Sequence, residues 1–349
     1  MKSKSFKYPL ITVASFSLAL AAQAQFTPGN LVVLQDGTGS AALSSAGTAL
    51  FLDQFTTSGT LVGSEALPTT GANAFVNSGS AASEGQLSLS ADGAYLVLAG
   101  YNVAAGTTGV ASSSTIPRAI ATVDGNGNFS IVSSSTTFYA GNNIRGGTSD
   151  GNGNFWGAGA TGGTIYMGGG TPGGIVSSNS LAIQDIGGNL FYTTAKGVQG
   201  LWEISGNPTT GPVTPTLVIG QNTPSGFAFN SAMNLAYVAN TAGGISKYSN
   251  VGGTWTLDYT LDSSVGINAL AVDFSGVDPT IYATTELGTQ LIDISDSGSG
   301  SLASILATAG TNEAFRGLEF APTPVPEPST LALAGIGGLV SLWSIRRRK

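Results

Sequence analysis

The chain has no cysteine and no histidine among its 349 residues. The first absence excludes disulfides and a thiol nucleophile. The second removes the Ser–His pair and every imidazole metal ligand. Charge is scarce as well: Asp, Glu, Lys and Arg together make up 9% of the chain. Any catalysis would fall to a sparse set of carboxylates, tyrosines and hydroxyls.

The basic residues are missing from the middle. Seven of the 12 lie at the ends: Lys2, Lys4, Lys7, Arg346, Arg347, Arg348 and Lys349. Only Arg118, Arg145, Lys196, Lys247 and Arg316 stand between, against 18 acidic residues before Glu327, so the body carries a net charge near −13. A body of that sign lacks the clustered Lys and Arg that nucleic acid requires, and it attracts cations instead.

What the chain does have is glycine, 51 residues of it, and a hydrophobic content of 42%. That composition does not belong to a disordered chain. It reads as many short strands joined by Gly, Asn, Asp and Ser turns.

The two ends read as targeting segments. Residues 1–24 have the form of a secretory signal peptide: a basic start, an apolar stretch from Leu10 to Ala22, and Ala22-Gln23-Ala24 as the small-x-small cleavage site. Cleavage between Ala24 and Gln25 makes Gln25 the first mature residue. An uncleaved anchor is the competing reading, but the apolar run is short for a bilayer. At the other end, Val325-Pro326-Glu327-Pro328-Ser329 precedes an apolar segment from Thr330 to Ile345, and Arg346-Arg347-Arg348-Lys349 closes the chain. The basic end is expected to stay in the cytoplasm, which leaves the body on the far side of the membrane.

This ordered tail, residues 322–349, resembles the PEP-CTERM sorting signal. The resemblance implies recognition by an exosortase, a membrane protease that would cut near Pro326, Glu327 and Pro328. It implies transient anchoring in the inner membrane, then delivery to the cell surface or outside. It also implies a Gram-negative-type producer that makes exopolysaccharide. A plain C-terminal membrane anchor is the competing reading. The membrane is expected to be met only through the terminal segments.

Between the ends, residues 25–321 repeat. Tyr192, Tyr237 and Tyr282 are spaced 45 residues apart, and each sits in a similar strand. Further strands follow each: Leu201–Ser205, Ile245–Ser249 and Leu291–Ser295, then Thr216–Ile219, Trp255–Tyr259 and Ala303–Ala307. A small apolar strand precedes each: Leu181–Ile183, Gly226–Phe229 and Ala269–Val272. Four strands per unit of this length is the period of a β-propeller blade. First strands near residues 86, 145, 181, 226, 269 and 316 predict an all-β propeller of six four-stranded blades. The last, Phe315–Phe320, lacks following strands. The N-terminal strands Asn30–Leu34, Ala49–Leu52 and Thr60–Val62 lack a first one, so the two ends complete one blade together. Seven blades is the alternative, because residues 100–120 are hard to place. A β-helix or a sandwich is the competitor. The body also resembles a group of PEP-CTERM proteins with propeller-like bodies, which speaks to fold and address only.

Three sets of residues are candidate sites. Asp124-Gly-Asn126-Gly-Asn128 and Asp150-Gly-Asn152-Gly-Asn154 resemble half of a calcium loop, which makes calcium the one candidate cofactor. Their twelfth positions are Ser135 and Thr161 rather than Glu, and the same residues suit tight turns. Arg145 and Arg316 each head a first strand, where they could bind an anion at the channel mouth or pair with a neighbouring carboxylate such as Asp185 or Asp273. Trp156, Trp202, Trp255 and the repeated tyrosines could stack on sugars or fill the inter-blade core. No catalytic residue stands out.

The expected function is that of an exported cell-surface or extracellular-matrix protein, a non-enzymatic binding or structural propeller associated with exopolysaccharide. Its processing partners would be signal peptidase and the exosortase. The alternative is a secreted carbohydrate-active hydrolase or lyase working through Asp, Glu or Tyr.

Overall fold

Two strand patterns alternate along the body. Tyr95–Tyr101 and Arg118–Asp124 are mostly apolar and buried on both faces along nearly their whole length. Phe129–Ser135, which follows them, alternates between exposed and half-buried positions. The first pattern fits strands sandwiched between two neighbouring sheets, and the second fits an outer edge. Those are the positions they hold in a computed structural model of the protein, which describes residues 25–168 and 173–324.

The architecture is an all-β propeller of six four-stranded antiparallel blades. Blade 1 combines Ala314–Phe320, Leu31–Asp36, Leu50–Phe55 and Leu61–Ala66, from the inside outwards. Blade 2 runs Ser88–Leu89, Tyr95–Tyr101, Arg118–Asp124 and Phe129–Ser135. Blade 3 holds Ile144–Ser149, Phe155–Gly159, Thr164–Tyr166 and Gly173–Val176. Blade 4 holds Ile183–Ile186, Asn189–Thr194, Gly200–Ile204 and Thr216–Gly220. Blade 5 holds Pro224–Phe229, Leu235–Asn240, Ile245–Val251 and Thr254–Leu261. Blade 6 holds Ile267–Asp273, Thr280–Thr285, Gln290–Ser295 and Ser304–Thr308.

Both ends of the body close the ring. Leu31 pairs with Phe320 and Asp36 with Ala314, in the antiparallel register expected of a shared blade. Residues 102–117, which the repeat could not place, form a long connection between the second and third strands of blade 2, so no seventh blade arises. Arg118 holds that connection. Its guanidinium donates to the carbonyls of Ala111, Ser113, Ile116 and Asn142 at 2.6–3.2 Å.

The core is divided among the six blade interfaces. Val32, Leu34, Leu50 and Leu52 meet Leu96, Leu98 and Ala121 between blades 1 and 2. Trp156 and Tyr166 meet Ile183, Leu190 and Tyr192 between blades 3 and 4. Burying one Leu, Val, Ile or Phe side chain contributes about 1.5–3 kcal/mol, so each interface is worth many such increments against the loss of chain entropy.

The two ends leave the ring close together. Phe26 is buried against blade 2, and its amide donates to the carbonyl of Gly125 at 3.0 Å. Thr323 donates to the carbonyl of Gly93, in the neighbouring hairpin of the same blade, also at 3.0 Å. The signal segment through Ala24, the Pro326, Glu327 and Pro328 motif and the apolar stretch 330–345 lie outside the described residues. No helix among the described residues is long and apolar enough to cross a membrane.

Candidate functional site

The six innermost strands surround a central channel. Their N-terminal ends form what is here called the upper mouth, and their C-terminal ends the lower mouth. Two glycines let the strands close in. A side chain at Gly226 would press on Ala269 Cα at 3.0 Å, and one at Gly317 would press on the amide of Leu87 at 2.6 Å. At the waist, Gln86 reaches across from blade 2. Its Nε2 donates to Asn268 Oδ1 of blade 6 at 3.1 Å, and Ser225 of blade 5 donates to the Asn268 carbonyl. A cavity lies towards each mouth, on either side of these contacts.

The upper cavity, about 370 Å³, lies beside the segment Ser78–Gln86 that links blade 1 to blade 2. That segment is fastened across the mouth from several sides. Arg316 forms a buried ion pair with Asp36 at 2.9 Å and donates to the Gly79 carbonyl at 3.0 Å. Arg145 donates to Ser83 Oγ at 3.2 Å and to Asn179 Oδ1 at 2.6 Å. Glu84 is fully buried and accepts from Tyr101 OH at 2.5 Å, Asn143 Nδ2 at 2.6 Å and the Ser78 amide at 2.8 Å. Burial still pushes its carboxyl up to about 7, despite those donors.

The two arginines marked in the sequence therefore do meet at one mouth, where each grips the same connecting segment. The carboxylate beside Arg316 is Asp36 of its own blade, not Asp185 or Asp273 of another. Burial raises the Asp36 carboxyl above its ordinary range, against the lowering pull of Arg316 and Asn77.

The lower cavity is smaller, about 270 Å³, and differs in kind. Leu89, Ile186, Phe229, Val272, Phe274 and Phe320 give it apolar walls contributed by five blades. One carboxyl, that of Glu319, stands in it with a single protein hydrogen bond, 2.9 Å from the adjacent Phe320 amide. Burial lifts its pKa to about 7. Asp185 also borders the cavity, but its oxygens accept from Asn207 Nδ2 at 2.6 Å and the Gly188 amide at 3.1 Å. Sequence reasoning placed Glu319 in a first strand without marking it. The signal was there: a lone acid in Phe315–Phe320, a strand expected to line the channel.

The Asp-Gly-Asn-Gly-Asn loops are hairpin turns. Asp124 Oδ1 accepts from the amides of Asn126 and Asn128, both at 2.9 Å, and Oδ2 from Asn128 Nδ2 at 2.8 Å. Asp150 does the same with Asn152 and Asn154 at 2.7–3.1 Å. Among the described residues no three Asp or Glu side chains come together as a metal cluster.

Trp156 is fully buried in the interface between blades 3 and 4, whereas Trp202 and Trp255 are half-buried at the edges of their clusters. A separate polar cluster joins blades 5 and 6. Asp296 there pairs with Lys247 at 2.7 Å and accepts from Tyr259 at 2.7 Å and from Tyr237.

Comparison with known proteins informs the two parts of the chain separately. Residues 324–349 match the family described as the PEP-CTERM protein-sorting motif. That motif implies an exported protein, transiently anchored in the membrane and processed by an exosortase. No curated protein matches the chain. Among solved structures, a nidogen/laminin complex is similar with a TM-score of 0.52 at 10% identity, over 85% of this chain and 99% of that one. A 6-phosphogluconolactonase-like protein from Bacteroides fragilis gives 0.49 at 15% identity, over 81% and 83%. A gluconolactonase from Xanthomonas campestris gives 0.48 at 12% identity, over 84% and 91%. At such identities the likeness concerns fold alone.

Proposed function

We propose that this exported propeller acts without catalysis, as a binding or structural component of the cell surface or extracellular matrix associated with exopolysaccharide. The observation that carries the reading is the sorting motif on a propeller ring, whose waist is crossed by hydrogen bonds among Gln86, Ser225 and Asn268. A propeller enzyme would need an open pocket with two free carboxylates, or a Tyr with an Arg. Asp185 and Glu319 share the lower cavity, yet Asp185 is committed to Asn207 and Gly188. Tyr101 lies near Arg118, which is itself committed to four carbonyls.

Signal peptidase would remove residues 1–24, and the exosortase would cut near Pro326. The mature body then keeps five basic residues against 18 acidic ones. An acidic surface favours neutral glycans or cation-bridged ones over bare anionic chains. The test is co-sedimentation of the purified body with exopolysaccharide and cell-surface fractions from the producing cell. Retention by those fractions supports the reading; failure to bind any of them overturns the binding half. Mass spectrometry of the native protein checks the processing, with Gln25 expected as the first residue and the tail after Pro326 gone.

A further inference from the structure

We infer that the lower channel mouth binds a small organic cation, an ammonium group on an apolar body, with Glu319 as its counter-charge. The inference does not depend on the polysaccharide reading, because it concerns a different ligand class in a defined cavity.

Three features of the mouth lead there. The walls are apolar and partly aromatic, with Phe229, Phe274 and Phe320 all half-exposed towards the opening. The floor carries one carboxyl whose only protein donor is the adjacent amide. Among the described residues no lysine or arginine lines the cavity. A carboxyl in apolar surroundings is costly unless something pairs with it, and a cation with an apolar body beside these aromatic side chains meets both needs at once. The volume, about 270 Å³, falls just below the usual range of drug-sized pockets, so the occupant is fragment-sized.

A sugar ring fits the same cavity less well. Its several hydroxyls would each need a partner, and apart from Glu319 and Asp185 the mostly apolar lining offers only Gln184 and Ser90, each already engaged in part. Gln184 Nε2 donates to the Phe227 carbonyl, and Ser90 Oγ donates to Asp92. Leaving hydroxyls unpaired in an apolar mouth opposes binding.

Other charged groups on the surrounding strands do not compete for the carboxyl. Asp185 is held by Asn207 and Gly188, Asp92 by Ser90 and Ala94, and Asp273 by the Ser275 amide. Arg316, on the same strand as Glu319, is paired with Asp36. The acidic body as a whole also raises the local concentration of cations.

The experiment uses phenethylammonium as the probe and neutral 2-phenylethanol as its uncharged counterpart, with the full chain in detergent. Binding is read by calorimetry and by chemical-shift changes. Phenethylammonium is expected to bind with a Kd of about 1 mM or tighter, and the alcohol at least about ten-fold more weakly. Because only the ionised carboxyl pairs with the cation, affinity should rise about 30-fold from pH 5.5 to 8.5, following the ionised fraction. Glu319→Gln should abolish both the preference for the cation and the pH dependence. Val272→Trp, which fills the mouth and keeps the Glu319 carboxyl, should abolish binding while the melting transition persists. Equal binding of the two probes, a flat pH profile, unchanged affinity in Glu319→Gln, or no binding of the cation at all overturns the inference.

Discussion

The clamp between blades 5 and 6 can be broken at one atom group. Three donors converge on the Asp296 carboxylate: Lys247 Nζ, Tyr259 OH and Tyr237 OH. Asp296 is only 4% exposed. Removing one partner of a buried, hydrogen-bonded ion pair costs about 3–5 kcal/mol, because the remaining charge and hydroxyls lose their acceptor. Asp296→Ala is therefore expected to lose about 3–5 kcal/mol, a large part of the roughly 5–15 kcal/mol typical of folded domains. Asp296→Asn keeps the shape and some acceptance, so its loss should be smaller, about 2–3 kcal/mol. Adding Lys247→Met to Asp296→Ala removes the stranded cation and should recover about 1–2 kcal/mol. The assay is urea unfolding of residues 25–324, with an unchanged denaturant slope as the sign that only stability has moved. A loss below about 1 kcal/mol for Asp296→Ala, or strict additivity of the two substitutions within about 0.5 kcal/mol, would refute the clamp. Burial alone would raise the Asp296 carboxyl, but the hydrogen bonds from Lys247, Tyr237 and Tyr259 together hold it below its ordinary value of 3.8. The clamp's contribution is thus present above the unfolded value and lost as pH falls through the lower folded one.

Glu84 and Glu319 act with the opposite sign. Their folded values stand near 7 against 4.5 unfolded, so their own contribution to stability is greatest below 4.5 and declines as pH rises towards 7. Glu319→Gln should flatten that decline by up to about 3 kcal/mol, less whatever the water of the channel mouth screens; a melting temperature with the same pH slope as the parent would exclude it. Gly317→Ala forces a methyl against Leu87 and the Gly85 carbonyl at the waist, and an unfolding loss of at least about 2 kcal/mol is expected in the same urea assay. Asp150→Ala removes the acceptor of its turn and should cost about 1 kcal/mol, checked by its melting temperature. Both loops are closed by their own turn hydrogen bonds, so the parent's melting temperature is expected to be the same with calcium and with chelator. A rise of several degrees on adding calcium would restore the metal reading.

The regular half of the ring was legible because its connections are short. From Leu181 to Phe320 each blade repeats its strands at a nearly fixed spacing, and Tyr192, Tyr237 and Tyr282 mark the same place in successive blades. Blades 1 to 3 gave a weaker pattern for a physical reason. Residues 67–87 and 102–117 are long connections without a period, and they blur the spacing between the strands they join. The Ser78–Gln86 segment could not be foreseen as a seal over the upper mouth. Its hold comes from residues far away in sequence, Arg145, Arg316 and Tyr101, and only the closed ring brings them to it. Charge type in the sequence pointed to the two arginines, but pairing depends on position, and Asp36 sits on the strand paired with that of Arg316. The turn residues around Asp124 and Asp150 carried both a metal pattern and a backbone pattern. Composition cannot separate these, because the same oxygen atoms serve either use.

The shared first blade behaves like a clasp on a necklace. Its last strand, Ala314–Phe320, ends only three residues before the sorting motif begins at 324. A chain cut short before residue 314 therefore lacks the clasp and the address together. It leaves the free edge of Leu31–Asp36 open, the kind of edge that invites wrong pairing. Any copy carrying its sorting motif also carries the strand that fastens the ring. Possession of the motif thus marks a chain whose synthesis has run past the strand that closes the ring.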